Sequence, residues 1–323
     1  MNLSVESIMT KLITGGTGLI GSEVAKMLVE RGDRPVLFDV APSLEAIRPI
    51  QDKVTLVRGD LTNWSEVFNV VRDYKVESIF HFGGMLSLPS DANPWAAYRV
   101  NANGTMHILE AARLFNVEKI IFTSTIATYA RETEQPFPID ESTLQRPENM
   151  YGITKLFCEL LGRFYTKKFG LDFRAVRFPT VVGPGAKTKH MTQYMAWMIE
   201  HALANKPFEV WVSEDTRTPC IYYKDAANGL ITLHDAPASN IKTRIYNLTS
   251  VSLTAGEFAE KVRRHIPSAK IIFKPDPEVL KMMGKGFGPI DDTPAKREWG
   301  WRPRFDIDEM IEDFKRTYET SKK

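Results

Sequence analysis

Residues 11–21 read Lys-Leu-Ile-Thr-Gly-Gly-Thr-Gly-Leu-Ile-Gly, a short β-branched run that breaks into glycines and resumes with helical periodicity. The pattern predicts a strand at Lys11–Thr14, a tight turn, and a helix at Leu19–Arg31. Glycine lets the backbone turn sharply and approach a pyrophosphate where a Cβ would intrude. The helix N-terminus behind it offers free N–H groups and a favourable dipole. Gly15, Gly18, Leu19, Ile20 and Gly21 are therefore candidates to cradle a dinucleotide, with a bare structural turn as the competing reading.

Outward from this turn, strand and helix alternate. A second strand, Pro35–Asp39, ends on a carboxylate 18 residues beyond Gly21. Asp39 can accept hydrogen bonds from the adenosine ribose and would repel the extra phosphate of NADP, so the expected cofactor is NAD. Strand Val54–Arg58 runs into Asp60 and Leu61, which suit an adenine contact, although a solvated turn aspartate is an equally simple role. Helix Trp64–Asp73 and strand Ser78–Phe82 follow; the strand ends in His81-Phe82-Gly83-Gly84, where Phe82, Gly83 and Gly84 leave room for cofactor and His81 reads as a core residue. A helix over Pro94–Phe115, a strand at Lys119–Thr123, a helix over Tyr151–Phe169 and a strand at Phe173–Phe178 complete the series. Such alternation predicts a doubly wound, Rossmann-type α/β fold, and strands apolar on both sides, such as Ile120–Phe122, suit a sheet covered on both faces.

After residue 178 the pattern loosens into helices (Tyr194–Leu203, Ala255–His265, Ile307–Tyr318) and short strands (Arg244–Leu248, Lys270–Phe273). We therefore expect a nucleotide-binding domain over 1–178 that carries the reactive residues. A smaller substrate lobe over 179–323 would send some segments back to the first domain. Gly183–Gly185 and Gly284–Gly288 are the candidates for flexible joints.

Tyr151-Gly152-Ile153-Thr154-Lys155 puts a phenol and an ammonium at i and i+4, on one helical face. Oxidising a carbinol requires a base, and a phenol with a pKa of about 10 serves poorly at neutral pH. A lysine one turn away should lower that value, and the same lysine can hold the nicotinamide ribose. A hydroxyl at Thr125, in the segment Thr123-Ser124-Thr125, would orient the substrate oxygen.

Bulk properties narrow the class. With 42 basic against 40 acidic side chains, nothing favours nucleic acid or an anionic membrane as partner, and no apolar run approaches a membrane span. Two distant cysteines, Cys158 and Cys220, form no CxxC pair, and the six histidines show no metal-ligand spacing, so no metal is expected. The first ten residues lack the features of a signal peptide and read as a short leader. Together these point to the cytosol.

The set TGGTGLIG, Asp39, Asp60-Leu61, HFGG, NANGT, STIATYA and YGITK resembles the extended short-chain dehydrogenase/reductase family across essentially the whole chain. That resemblance implies Thr125 as hydroxyl donor, Tyr151 as acid/base and Lys155 as its partner. It makes Asn101 a structural or relay residue near the cofactor and Pro179 a cofactor contact. It also implies a homodimer formed through the helices at Pro94–Phe115 and Tyr151–Phe169. Several stretches (STIATYA, RPENMYGITK, SEDTRTPCIYYKDA, IDDTPAKREWGW) resemble the threonine-dehydrogenase branch more specifically. That branch implies a small hydroxylated substrate, L-threonine, held by Ser87, Thr125, Tyr151, Thr180 and Thr192, with Arg217 available to clamp a carboxylate. Two features depart from the branch. Pro179-Thr180 stands where Pro-Gly is usual, and His190-Met191-Thr192-Gln193-Tyr194 replaces a Gly-Thr-Thr-Asp-Tyr run, so Gln193 stands for a carboxylate. A nucleotide-sugar epimerase or dehydratase using tightly held NAD is the alternative.

Overall fold

The computed structural model describes residues 10–129, 138–283 and 286–321. The expected leader before Thr10, and Gly284 of the second glycine joint, lie outside them.

Seven strands form one parallel sheet: β1 (Thr10–Thr14), β2 (Val36–Asp39), β3 (Thr55–Arg58), β4 (Val76–His81), β5 (Lys119–Thr125), β6 (Asp172–Phe178) and β10 (Ile245–Asn247), in the order β10-β6-β5-β4-β1-β2-β3. Between β6 and β10 in the chain come β7 (Thr180–Val182), β8 (Phe208–Val210) and β9 (Arg217–Tyr222); β11 (Val251–Thr254) and β12 (Ile271–Phe273) follow β10. The central strands are apolar on both faces because helices cover both: Leu12, Ile13, Val36 to Phe38 and Ile120 to Phe122 are all buried. The order reverses at β1, which has β2 on one side and β4 on the other. In such sheets the crevice at the reversal point takes the ligand.

The smaller lobe is built on a three-stranded sheet, β11-β9-β7, and a parallel pair, β12-β8. Its core gathers Tyr194, Met198, Trp211, Phe258, Ile311 and Phe314. The strand expected at Arg244–Leu248 does not join this lobe: as β10 it pairs with β6, Ile245 opposite Ala175, at the edge of the main sheet. Helix Tyr223–Asp235 also packs on the first domain, with Ala226, Leu230 and Ile231 in one cluster with Val24, Leu28 and Phe80.

The segment Pro94–Phe115 is not one α-helix. Pro94–Ala97 and Gly104–Leu114 are α-helical, but Tyr98–Asn103 between them winds as a π-helix, a form that in proteins often marks a functional site. The next long helix starts at Met150. Asn149 caps it through its side-chain oxygen, which accepts the Gly152 N–H at 2.8 Å, and Gly170 at φ 74° ends it in the left-handed region.

Candidate active site

The carboxyl ends of β1 and β4 open into a cleft of about 1440 Å³, roomier than a single small-molecule pocket and large enough for a dinucleotide beside a small substrate. At its back wall Gly15 takes φ +64° and donates its N–H to the Phe38 carbonyl at 2.9 Å. A Cβ on Gly15 would lie 2.9 Å from the Gly83 nitrogen, and one on Gly21 would lie 2.2 Å from the Gly15 oxygen. Neither Gly15 nor Gly21 therefore tolerates a side chain. Leu19, Ile20 and Gly21 open helix Leu19–Glu30 with no side-chain cap, so its first-turn N–H groups remain for an anion. These residues, with Gly18, line the cleft.

Asp39 sits at the tip of β2, half-buried on the cleft wall. Its Oδ2 accepts the Thr17 N–H at 3.1 Å and hydroxyl at 2.8 Å, and its Oδ1 accepts the Ala41 N–H at 3.2 Å. Oδ2 thus has both lone pairs engaged, while Oδ1 keeps one that a ribose hydroxyl could use. Asp60 lines the same end, its Oδ1 taking the Thr62 N–H at 2.8 Å, while the Leu61 side chain lies under Gly83.

A relay of short bonds connects this end to the reactive one. Thr14 Oγ1 accepts the N–H groups of Phe82 and Gly83, each at 3.1 Å, and pairs with His81 Nδ1 at 2.7 Å. His81 Nε2 meets Thr105 Oγ1 at 3.0 Å, and that hydroxyl donates to the Asn101 carbonyl at 2.5 Å. With Thr14 accepting twice and Thr105 donating onward, the consistent assignment is a neutral imidazole protonated on Nε2. Burial, helped by the Lys155 charge, pushes His81 down to about 3, so it stays neutral. His81 is a buried connector with no free nitrogen. Asn101 lies in the π turn: its Oδ1 accepts the Met85 N–H at 2.7 Å, and its Nδ2 donates to the Met85 carbonyl and Thr154 Oγ1, each at 3.1 Å. It thus ties the loop after β4 to the helix bearing Tyr151 and Lys155.

The fifth strand reaches Thr125, two residues beyond its expected end, and that extension carries the hydroxyl to the cleft. Thr125 and Tyr151 line the cleft together, the Thr125 hydroxyl close enough to act on the phenol's acidity. Lys155 is buried; its Nζ donates to the Thr123 carbonyl at 2.8 Å and lies 4.6 Å from the centre of the Phe122 ring. The acidities correct the expectation from sequence. The Tyr151 phenol is not lowered by its lysine: burial pushes it up to about 12, moderated by the Thr125 hydroxyl. Lys155 stands 5.8 Å from the Tyr151 ring centre with Nζ turned to Thr123, and burial brings it down to about 8. At neutral pH the phenol therefore holds its proton.

The remaining sequence candidates gather on the opposite wall. Thr180 is buried on β7, next to Pro179; buried Ser87 accepts the Met191 N–H at 3.4 Å; Thr192 is half-buried with its hydroxyl 3.4 Å from His190 Nδ1. All of them line the cleft. Arg217 lines it too, but its guanidinium is already engaged: Nη1 donates to the Ser252 carbonyl at 3.0 Å and Nη2 lies 3.9 Å from Glu257. Gln193, flagged in the sequence as standing for a carboxylate, was not among the expected substrate contacts. It is 2% exposed, lines the cleft, and its Nε2 has no hydrogen-bond partner among the described residues. His190 beside it is pushed down to about 4 by burial and so is neutral. The only local signal was a glutamine in place of an acid.

A turn that excludes a Cβ at Gly15 and Gly21, an uncapped helix start and a ribose-level carboxylate together fit NAD. The model of the NAD dependent epimerase/dehydratase family matches residues 11–249. The chain belongs to that family. It is an NAD-dependent enzyme of the short-chain dehydrogenase/reductase type. Among its relatives, the mitochondrial L-threonine 3-dehydrogenase of Bos taurus is 29% identical over 306 residues, 93% of this chain and 80% of the relative. The solved L-threonine dehydrogenase of Clostridium difficile superposes with a TM-score of 0.88 at 28% identity, covering 97% of this chain and 98% of the other. That of Phytophthora infestans gives 0.85 at 31%, covering 96% and 99%. Among the described residues no helix is long and apolar enough to cross a membrane, and no cluster of His, Cys, Asp or Glu could hold a metal ion.

Proposed function

We propose that the enzyme oxidises the secondary alcohol of a small β-hydroxy acid of the L-threonine type. The observation that carries this reading is the Thr125–Tyr151 hydroxyl pair with buried Lys155 beneath it, at the foot of a cleft whose far wall is lined with hydroxyl side chains. The similarity to threonine dehydrogenases over nearly the full chain supports it. NAD, when bound, supplies the hydride acceptor. The first-turn N–H groups of Leu19, Ile20 and Gly21 would hold its phosphates, and Asp39 a ribose. Asp60, Leu61, Phe82, Gly83, Gly84 and Pro179 would complete the cofactor wall, while Asn101, buried and fully bonded, would act only by holding the Met85 loop. Thr125 would donate to the substrate oxygen while Tyr151 Oη takes the carbinol proton. Because Tyr151 holds its proton up to about 12 in the free enzyme, the phenol would first have to release that proton to solvent water in the cleft before it could take the carbinol proton. Ser87, Thr180 and Thr192 would bind the substrate's polar groups, with Arg217 available only after leaving Ser252.

The test is NADH absorbance on mixing protein, NAD and L-threonine, with Tyr151→Phe as control. Loss of a general acid/base should lower the rate about 10²- to 10⁴-fold while NAD still binds. No threonine-dependent signal in a protein that binds NAD would refute the substrate. A product formed without NADH would favour an epimerase or dehydratase.

We also propose a cytosolic homodimer. Ile153, Phe157, Leu160 and Phe164 form a continuous exposed stripe on helix Met150–Phe169, each 45–58% exposed, and Trp95 and Tyr98 add aromatic surface nearby. Leu160→Lys should convert a dimer to a monomer in sedimentation; a wild-type monomer refutes the proposal. Both cysteines are free and buried, which suits a reducing compartment.

A further inference from the structure

Taking Thr125, Tyr151 and Lys155 as the reacting set, we propose that the buried Glu159–Arg177 ion pair is the positioning device of the active site, locking the helix that bears Tyr151 and Lys155 onto the strand that bears Thr125. Glu159 follows Lys155 by one helical turn and is 1% exposed. Both its oxygens are engaged. Oε1 accepts Arg177 Nε at 3.0 Å and the Ser124 hydroxyl; Oε2 accepts Arg177 Nη2 at 2.8 Å and Gln145 Nε2 at 3.0 Å. The two Arg177 bonds form a bidentate fork, whose planar geometry fixes direction as well as distance. Arg177 is Cα partner of Ser124 on β5 and of Asn247 on β10, so the pair is anchored in one row of three strands. Its Nη1 donates to the Tyr129 hydroxyl at 2.6 Å, which donates to Asn247 Oδ1 at 2.8 Å.

The consequence lies in the residues flanking Ser124. Thr123 offers the carbonyl that holds Lys155 Nζ at 2.8 Å, and the Thr125 hydroxyl faces the Tyr151 phenol closely enough to act on its acidity. Three consecutive strand residues thus receive helix residues 155, 159 and 151, and Glu159 makes the central contact. Burying an ion pair is a poor way to gain stability, since an apolar pair of similar volume often does as well. Directional bonds are what it adds. Its charge also matters: the Glu159 carboxylate favours the Lys155 ammonium, which burial pulls down to about 8, while Arg177 on the far side is held cationic by the same carboxylate.

The experiment needs no substrate. NAD affinity is measured from pH 6 to 10 for wild type, Lys155→Met, Glu159→Gln, and Glu159→Gln combined with Arg177→Gln. The wild type should lose affinity with a midpoint near the Lys155 value of about 8, and Lys155→Met should remove that limb. Glu159→Gln leaves the Arg177 charge uncompensated and should move the midpoint down by about one pH unit, and the double variant should restore it. Both variants will melt at lower temperature. A merely structural pair would show those melting losses with the midpoint unmoved, which overturns the proposal. A wild-type profile without a Lys155-dependent limb removes the site reading and the inference with it. If the pair variants fail to fold, Ser124→Ala severs only the tie to the strand. It should weaken NAD binding above neutral pH several-fold, with Ser124→Thr restoring it; wild-type behaviour in Ser124→Ala refutes positioning.

Discussion

Replacing Asp39 by asparagine tests the cofactor wall most directly. The carboxylate is half-buried at the end of β2, with Thr17 and Ala41 already bonded to it. Asparagine keeps one oxygen for Thr17 but loses the charge that strengthens a bond from a ribose hydroxyl. A hydrogen bond to a charged group contributes about 1.5–3 kcal/mol, so the Kd for NAD should rise about ten- to hundredfold. NADP should respond in the opposite sense. Two unit charges 4 Å apart repel by about 4 kcal/mol at an effective dielectric of 20, and partial exposure of Asp39 reduces this to about 1–2 kcal/mol. Relief of that repulsion should tighten NADP about tenfold, so the preference for NAD over NADP narrows by roughly two to three orders of magnitude. Titration calorimetry of both nucleotides against wild type and variant measures it. An unchanged NAD affinity would show that Asp39 serves the Thr17 turn alone.

Two further predictions concern the lobe and the stability of the fold. Gln193→Leu removes a buried amide whose Nε2 has no partner, so the melting temperature should hold or rise slightly while KM for substrate increases; a clear melting loss would mean the amide is structural. His265 bonds Asp308 at 2.8 Å and Glu312 at 2.7 Å, which raise its pKa above the usual value of about 6.5, so its stabilisation is complete below that pH and fades as pH rises through the raised value. The two carboxylates are lowered, Asp308 by Lys261 and His265 and Glu312 by His265 and Lys315, and contribute above about pH 4, fading as pH falls. The cluster should therefore contribute most between about pH 4.5 and 6.5, by under about 1 kcal/mol because the acids are substantially exposed. Thermal melts at pH 5.5 and 8 should show a smaller pH effect in His265→Gln than in wild type; equal effects would refute the assignment.

What the sequence made legible is what local chemistry enforces. The glycine turn, the carboxylate ending β2 and the Tyr151–Lys155 pair each declare themselves within a few residues, and helix Tyr194–Leu203 has the bounds its periodicity predicts. What stayed hidden depends on register or on subtle winding. Nothing in Arg244–Leu248 says which sheet it will join. A π turn at Tyr98–Asn103 has nearly the apolar periodicity of an α-helix. Strand β9 carries Pro219 yet lies between two neighbours, β11 and β7, so the usual rule that proline marks an edge or a loop conceals it. Glu159 and Arg177 stand 18 residues apart and meet only because Arg177 falls opposite Ser124. The lowered phenol pKa expected from the lysine spacing failed for a different reason: spacing gives proximity, whereas burial and the direction in which Nζ points decide acidity.

The late return of β10 to the main sheet has a consequence during synthesis. When Phe178 leaves the ribosome the first six strands are all present, but β6 is a bare edge and one face of the sheet still lacks helix Tyr223–Asp235. At about 5–20 residues per second, the ribosome needs roughly 3–14 seconds more to deliver Asn247. For that interval the nascent chain exposes one unpaired edge of β6, a template for pairing with a neighbouring chain on the same polysome. Stalling between these two points should produce aggregation, and a chaperone that shields strand edges should raise the yield of active enzyme.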